Sequence, residues 1–90
     1  MPYIKKTSRY RLLKKDDSPQ NAGELNYMIT RLIDQFARLH GSNYDAYNTV
    51  IGVLECAKME MYRRVIIPYE NEKIKENGDV YRAFMEPNEL

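Results

Sequence analysis

The chain has 90 residues, of which 43% are hydrophobic and 30% charged, and its formal net charge is +1. This composition is typical of one small globular domain and excludes the disordered, collagen-like and disulfide-rich classes. The single cysteine, Cys56, cannot form an intrachain disulfide, and no Cys or His spacing indicates a zinc site. The chain start lacks a signal-peptide apolar run, and no apolar run approaches the roughly 20 residues of a membrane span. We therefore expect a cytoplasmic protein without metal, cofactor or membrane partner.

Charge is distributed unevenly along the chain. Residues 1–15 contain six Lys or Arg and no acid, whereas the rest contains the other eight of the 14 bases and all 13 acids. A turn-forming cluster follows at residues 16–19. We predict an extended basic arm over residues 1–17, parts of which could dock on a core through Ile4, Tyr10, Leu12 and Leu13. The arm is expected to bind the acidic body of its own or a neighbouring chain, or an anion such as phosphate.

The first predicted helix begins after Asn21, a favourable N-cap, with Glu24 three residues later as in a capping box. Apolar residues then recur at spacings of three and four, which predicts one apolar stripe on a helix. They are Leu25, Met28, Ile29, Leu32, Ile33, Phe36 and Leu39. Gly41 provides the helix exit.

The second predicted helix is capped by Ser42, with Asp45 in the third position. Its stripe consists of Tyr47, Val50, Ile51, Leu54, Met61 and Val65, and further apolar residues surround its middle. A helix that is apolar on several sides is buried on several sides, so Cys56 is expected to be an inert core residue.

Pro68 cannot continue a helix without a kink but suits the first turn of a new one. We predict that the second helix ends or bends at Ile66–Ile67 and that a short third helix runs to Glu76, where Asn77 and Gly78 stop it. The fold class is therefore all-α: an antiparallel helical hairpin with a short third helix and an extended basic arm. One domain, 1–90, would comprise the arm (1–17), a helical body (18–81) and a tail (82–90).

Self-association is expected from the size of the predicted core. A 90-residue chain buries a smaller fraction of its surface than a large domain. The free energy gained by burying the two apolar stripes is small compared with the conformational entropy lost when the chain is ordered. The second helix is also apolar on several sides. A homo-oligomer would cover these surfaces.

Catalytic chemistry is not indicated. His40, the one histidine, falls in the last turn of a helix, where favourable contact with the helix dipole or simple exposure is expected. The carboxylates match no metal-binding spacing, and the four glycines form no phosphate-binding loop. We predict that the protein is not an enzyme.

Tyrosine is the most informative residue type, with 8 Tyr against 2 Phe and no Trp. Several tyrosines stand beside cations, and this combination suits base stacking with phosphate clamping, or equally a subunit contact. Arg64 lies nearer the apolar stripe than Arg63 and is the better candidate at a subunit boundary. The predicted ligand-binding residues are Tyr3, Lys5, Lys6, Arg9, Tyr10, Tyr62, Arg63, Arg64, Tyr69 and Tyr81.

The sequence resembles a small family of short proteins of unknown function from phages, prophages and bacteria. The resemblance is carried by the start at residues 1–4, the segments 25–32, 50–58 and 62–70, and the Asn77-Gly78-Asp79-Val80-Tyr81 motif near the C-terminus. It implies a bacterial-host setting and no particular activity.

Together these features predict a non-catalytic binding protein that sequesters a small anionic, nucleotide-like ligand at subunit interfaces. In a phage-associated protein, the expected use of such sequestration is to antagonise host defence signalling. The alternative is a protein-interaction or oligomerisation module, such as an inhibitor of a host protein. A nucleic-acid binder that uses the basic arm is a third reading, against which the net charge of +1 argues.

Overall fold

The computed structural model describes residues 2–14 and 17–83, and the all-α class predicted from the sequence is confirmed over them. The described elements are the helices α1 (Lys6–Leu12), α2 (Ala22–His40), α3 (Tyr44–Met61) and α4 (Ile67–Asn77), with a π-helical segment (Tyr62–Ile66) between α3 and α4. Residues 84–90 of the predicted tail, and Lys15 and Asp16 of the predicted arm, lie outside the described residues.

The chain divides into two compact units, Met1–Ile51 and Gly52–Leu90. The first contains α1, α2 and the beginning of α3, and the second contains the remainder of α3, the π-helical segment and α4. The proposed division of a single domain into arm, body and tail stays a prediction.

The extended conformation predicted for the basic arm is wrong over Lys6–Leu12, which form α1. Leu12 is 3% exposed, and α1 packs against α2. The arm therefore docks as a helix, because helix formation aligns Leu12 with α2 while Arg11 reaches the carboxylate of Glu24. Of the four apolar residues expected to allow docking of the arm, Leu12 is buried and Ile4 half-buried, whereas Tyr10 and Leu13 are exposed.

Helix α2 begins and ends as its sequence predicts. The side chain of Asn21 accepts a hydrogen bond from the backbone N–H of Glu24 at 2.9 Å, so the N-cap is confirmed. The helix ends at Gly41, which has a φ of 91° and donates its N–H to the Ala37 carbonyl. A residue with a Cβ would be strained at this φ, which explains why glycine stands here.

The cap of α3 is one residue later than predicted. Asn43, and not Ser42, accepts the hydrogen bond from the backbone N–H of Ala46, at 2.9 Å. The Asn43 amide also donates to the His40 carbonyl at 3.3 Å and so joins the end of α2 to the start of α3. The antiparallel packing of α2 on α3 in a hairpin stays a prediction.

Pro68 is accommodated by the π-helical segment that precedes it. Proline in a helix loses one backbone hydrogen bond, and its ring clashes with the carbonyl four residues earlier, which here belongs to Arg64. In the wider π-helical turn, the Ile67 N–H bonds to the Tyr62 carbonyl, five residues back instead of four. The backbone hydrogen-bond pattern is therefore altered just before Pro68. The predicted bend or end at Ile66–Ile67 thus coincides with the start of α4, which has its proline in the first turn.

The end of α4 follows the sequence signal. Gly78 has a φ of 86° and donates its N–H to the Ile74 carbonyl. The side chain of Asp79 then accepts the N–H of Tyr81 at 2.9 Å, so the chain leaves the helix through a turn.

Buried residues are few. In the first unit Leu12, Ala46 and Glu24 are buried, whereas no residue between 52 and 83 is buried and only Ile66 is half-buried. Cys56 is exposed, so its expected core position is wrong for the single chain. No helix among the described residues is long and apolar enough to cross a membrane.

Candidate binding surfaces

The ten predicted site residues fall into two sets, one in each unit. The first set follows α1 and its approach: Tyr3, Lys5, Lys6, Arg9 and Tyr10. The second set follows the π-helical segment and α4: Tyr62, Arg63, Arg64, Tyr69 and Tyr81. Each set is described in its own unit.

Arg9 acts within the first unit as a structural contact. Its Nε donates to the Ile4 carbonyl at 2.9 Å, and its guanidinium lies over the ring of Tyr27 at 5.6 Å from the centroid. Because Tyr27 belongs to α2, this cation–π contact helps to hold α1 in place. Arg9 is half-buried and is therefore only partly available to a ligand.

The other members of the first set face solvent. Tyr3 and Tyr10 are 79% and 76% exposed. Lys5 and Lys6 are exposed and form no ion pair with any residue of the described ranges. Lys6 and Tyr10 are four residues apart on α1 and so share one face of that helix. This face offers one ammonium group and one phenol ring to a partner.

An ion cluster that the sequence analysis missed lies beside this set. The two terminal nitrogens of Arg11 bind separate carboxylates, that of Asp17 at 2.8 Å and that of Glu24. Glu24 also accepts the backbone N–H of Gln20 at 3.0 Å, which leaves it fully partnered although it is only 6% exposed. Two features of the sequence could have indicated this cluster: the cations that precede Asp17, and the position of Glu24 in the capping box.

Both charges of this pair are stabilised by their contact. The hydrogen bond from Arg11 lowers the pKa of Glu24 below its ordinary value, and the Gln20 N–H acts in the same direction. The hydrogen bond to Glu24 raises the pKa of Arg11. A buried carboxylate requires such a partner, since an unpaired charge would be costly there. The cluster therefore fixes α1 on α2 and leaves Arg11 committed within the chain.

The second set begins at an apolar groove on the π-helical segment. The groove encloses about 520 Å³ and is lined by Cys56, Met59, Glu60, Tyr62, Arg63 and Ile67. Tyr62 is 48% exposed and Met59 60% exposed. The groove thus presents an aromatic ring and apolar walls beside one cation, Arg63, and one carboxylate, Glu60. Such a mixture suits either a ring-bearing ligand or the side chains of a partner helix.

The two arginines of this set share a single carboxylate. Arg63 Nη2 lies 3.0 Å from Glu60 Oε2, and Arg64 Nη1 lies 4.0 Å from Glu60 Oε1. Their side chains remain 66% and 68% exposed, so both pairs are surface contacts of small energetic weight. Arg63, Arg64 and Glu60 together carry a net charge of +1. The special role predicted for Arg64 at a subunit boundary stays a prediction.

The two remaining tyrosines lie beyond the groove on α4 and its exit. The ammonium of Lys73 lies over the Tyr69 ring at 5.7 Å and also pairs with Glu76 at 3.2 Å. Tyr81 is 66% exposed and lines a second groove of about 320 Å³ together with Lys73, Ile74 and Val80. Glu70 and Asp79 also line this groove, so it holds two carboxylates against one ammonium group and suits an anion less well than the first groove does.

His40 lies beside Phe36 in the last turn of α2. The His40 ring lies 4.3 Å from the Phe36 ring between centroids, and the residue is exposed, as one of the two expectations had it. Within residues 2–14 and 17–83, no group of three or more His, Cys, Asp or Glu side chains is placed to hold a metal ion.

Comparison with known families places this chain in one of them. Over residues 1–80 it matches the family described as "Domain of unknown function (DUF6899)", and the chain belongs to that family. The resemblance to a family of unknown function is thereby confirmed, whereas a phage or prophage source stays a prediction. No curated protein and no solved structure matches the chain.

Proposed function

We propose that this member of the DUF6899 family is a non-catalytic binding protein whose working form is a homo-oligomer. The observation that carries the proposal is the lack of a buried core in the second unit, where no residue between 52 and 83 is buried. Stable folding requires apolar burial to offset the conformational entropy lost by the chain. A second surface must therefore supply the burial that this unit lacks.

The apolar side chains available for that contact lie on α3, the π-helical segment and α4. Val53, Met61, Val65 and Ile67 are between 48% and 62% exposed. Single exposed apolar residues are common on protein surfaces. A helix that carries apolar residues on several sides, however, is usually covered by other parts of a protein on several sides. Covering each such side chain fully would contribute roughly 1.5–3 kcal/mol.

The charge distribution along the chain favours a second copy of this chain over an unrelated protein as the partner for these surfaces. The first 15 residues carry six bases and no acid, and the remaining residues carry five more acids than bases. Two copies can therefore bring opposite charges together, and a net charge of +1 per chain causes little repulsion between them. Intrachain packing of α2 on α3 in the predicted hairpin is the competing arrangement, and it would leave a monomer.

Within the oligomer, we propose that an anionic, nucleotide-like ligand is sequestered at the subunit boundary. The groove at the π-helical segment supports this second element of the proposal, because Tyr62 offers a stacking face and Arg63 a guanidinium beside exposed apolar walls. Departures from regular α-helix of this kind are frequent at functional sites. In a phage or prophage setting in the bacterial cytoplasm, such sequestration would remove a nucleotide signal of host defence.

Docking on a host protein is the alternative use of the same exposed apolar surfaces. Binding to nucleic acid through the basic segment is a weaker one, since Arg9 and Arg11 are already engaged within the first unit. Affinity carried by Lys5 and Lys6 would fall steeply as salt is raised.

Native mass spectrometry of the protein purified at moderate salt tests the proposal, because one spectrum gives the subunit number and any bound mass. We expect an oligomer that gains one or more adducts on addition of ATP as the probe, with inorganic phosphate as the control. An exclusively monomeric protein across micromolar concentrations would refute the oligomer. An oligomer indifferent to ATP that retains a stoichiometric host protein would favour the alternative.

Variants separate the two arginines of the groove. Replacing Arg63 by Ala removes a groove-lining guanidinium, and Arg64→Ala removes the neighbour predicted to act at the boundary. If either one clamps a desolvated phosphate, its loss weakens ATP binding by about 1.5–3 kcal/mol. Lys75→Ala, on α4 and outside this groove, serves as the matched control and should bind as the unmodified protein does.

A further inference from the structure

A small pocket that the proposed function does not use lies at the junction of α2 and α3. It encloses about 290 Å³, and its lining residues all belong to the first unit. A volume of this size is at the lower end of the range for small-molecule sites, so the pocket suits a ligand of few atoms. The residues that line it are Phe36, His40, Asn43, Asp45, Ala46 and Thr49.

The backbone around the pocket is held by Asn43. The Asn43 side chain accepts the Ala46 N–H at 2.9 Å and donates to the His40 carbonyl at 3.3 Å. Ala46 itself is buried. The last turn of α2 and the first turn of α3 are thereby fixed to each other, and a ligand does not have to order them on binding.

One wall of the pocket is aromatic. Phe36 and His40 stand four residues apart on α2, with their ring centroids 4.3 Å apart and their ring planes at 33°. Phe36 is half-buried, which restricts the orientation of its ring. The face of a phenylalanine ring is electrically negative and attracts cations.

Asp45 sets the sign of the charge in the pocket. Its carboxylate has no ion-pair or hydrogen-bond partner among residues 2–14 and 17–83. The end of α2 contributes about half a negative charge and the start of α3 about half a positive one, so these two helix ends offset each other. The described lining includes no lysine or arginine. With His40 neutral, the pocket therefore favours a cation.

The polar groups left for a ligand restrict the kind of cation. Both ends of the Asn43 amide are already engaged, which leaves the Asp45 carboxylate and the Thr49 hydroxyl. A primary ammonium group has three N–H donors, and each needs an acceptor once water is displaced. A quaternary ammonium ion has no N–H to satisfy and needs only a negative charge and an aromatic face.

We propose that this pocket binds a small, free quaternary ammonium ion. The Phe36 ring contacts its methyl groups, and the Asp45 carboxylate balances its charge. The Thr49 hydroxyl is available to a hydroxyl group on the ligand. The pocket is independent of the proposed function, because it lies in the first unit and selects the opposite charge. A monomeric protein, or one indifferent to ATP, leaves this inference intact.

An NMR titration of the full chain with choline tests the pocket, with the ring resonances of Phe36 and His40 as reporters. It is carried out at pH 8, at which a histidine side chain is ordinarily neutral. Two comparison ligands separate the contributions: 3,3-dimethylbutan-1-ol has the shape of choline without its charge, and ethanolamine has the charge with three N–H donors. We expect saturable shifts with choline in the millimolar range and at least tenfold weaker binding of the other two.

Each ligand can overturn the inference. No saturable choline shift at these rings through the millimolar range would mean that the pocket is not a site. Equal binding of dimethylbutanol would show an apolar surface without selection for charge. Equal binding of ethanolamine would show a general cation site and overturn the assignment to a quaternary ion.

Two variants identify the residues responsible. Asp45→Asn keeps the side-chain shape and removes the charge, and it should weaken choline binding at least tenfold. Asp34→Asn is the matched control, since Asp34 lies on α2 outside the pocket and pairs with Arg38 at 3.0 Å. Unchanged binding by Asp45→Asn, or an equal loss in Asp34→Asn, would overturn the inference. Far-UV circular dichroism checks that both variants keep their helices.

Discussion

Arg11 and Glu24 are the residues that turn the basic start of the chain into part of the fold. Glu24 is 6% exposed; its backbone N–H donates to the side chain of the N-cap Asn21, and its carboxylate accepts hydrogen bonds from Arg11 and from the Gln20 N–H. Burial of a carboxylate is tolerated only with such partners. Leu12, 3% exposed, is the apolar neighbour that makes the docking of α1 favourable in addition to the ion pair.

Acid should release α1 from α2. Arg11 holds the pKa of Glu24 below its ordinary value, so the stabilisation that this carboxylate gives is complete above that ordinary value. It is lost as the pH falls through the lowered pKa of the folded state, because the unfolded chain then binds more protons. We expect the Leu12 methyl resonances to move toward random-coil positions in that acid range in an NMR titration.

Glu24→Gln provides the control for this titration. The amide is uncharged, so the variant should be less stable at neutral pH and should lack the acid transition assigned to this carboxylate. An undiminished transition at Leu12 in Glu24→Gln would show that another group is responsible.

The α3 cap gives a second test at the level of single residues. Asn43 accepts the Ala46 N–H, and loss of such a cap typically costs about 1 kcal/mol. We expect Asn43→Ala to lower the free energy of unfolding by this amount in urea denaturation. Ser42→Ala is the matched control and should change it by only a few tenths of a kcal/mol. A larger loss of stability in Ser42→Ala than in Asn43→Ala would instead identify Ser42 as the cap, as the sequence alone predicts.

These residues also show how far sequence reasoning reaches at this scale. Asn21 was identified as a cap because Glu24 stood three residues later and an apolar run followed. Ser42 and Asn43 are both good caps, and only the backbone geometry selects between them. The pairing of Arg11 with Glu24 joins residues 13 positions apart, and no local pattern specifies such a contact.

The elements were predicted where periodicity is long and missed where it is short. Helix α2 has 19 residues and α3 has 18, enough for several turns of the apolar stripe to stand out. Helix α1 has 7 residues and gains its conformation from docking through Leu12 and Arg11. Pro68 indicated a break, but the π-helical segment that accommodates it has no sequence signal of its own.

Pro68→Ala should stabilise the helical segment around it. Alanine restores the missing N–H and permits an ordinary hydrogen bond to the Arg64 carbonyl four residues earlier, so the π-helical turn is no longer required. Proline is about 3 kcal/mol less favourable than alanine in a helix interior, and its place in the first turn of α4 makes the gain smaller than that. Thermal denaturation followed by far-UV circular dichroism measures it.

The same variant links the element to its groove. Met59, Tyr62 and Ile67 line the groove together, and loss of the π-helical turn would change the helical register between Ile67 and the two earlier residues. We expect weaker ATP adducts in the native mass spectrum of Pro68→Ala if the groove is the ligand site. A melting temperature no higher than that of the unmodified protein would contradict the expected helix stabilisation.

At the scale of the whole molecule, the separation of the candidate site into two units could not be derived from the sequence. Adjacency of Tyr to Lys or Arg along the chain identified ten residues, but it carries no information on which of them share a surface. In the first unit Arg9 is engaged with Ile4 and Tyr27, whereas in the second Tyr62 and Arg63 line one groove. Cys56 is exposed, although Val53, Leu54 and Ala57 beside it in the sequence favour a core position.

Stability that depends on assembly should depend on concentration. If the apolar surfaces of α2, α3 and α4 are buried between copies, each tenfold rise in protein concentration adds about 1.4 kcal/mol to the apparent stability of a dimer. For a domain of this size 1 kcal/mol corresponds to roughly 4–8 °C, so the melting temperature should rise by several degrees per decade of concentration. Calorimetry from micromolar to millimolar protein measures this slope. A slope of zero would contradict the homo-oligomer, because the stability of a monomer does not depend on protein concentration.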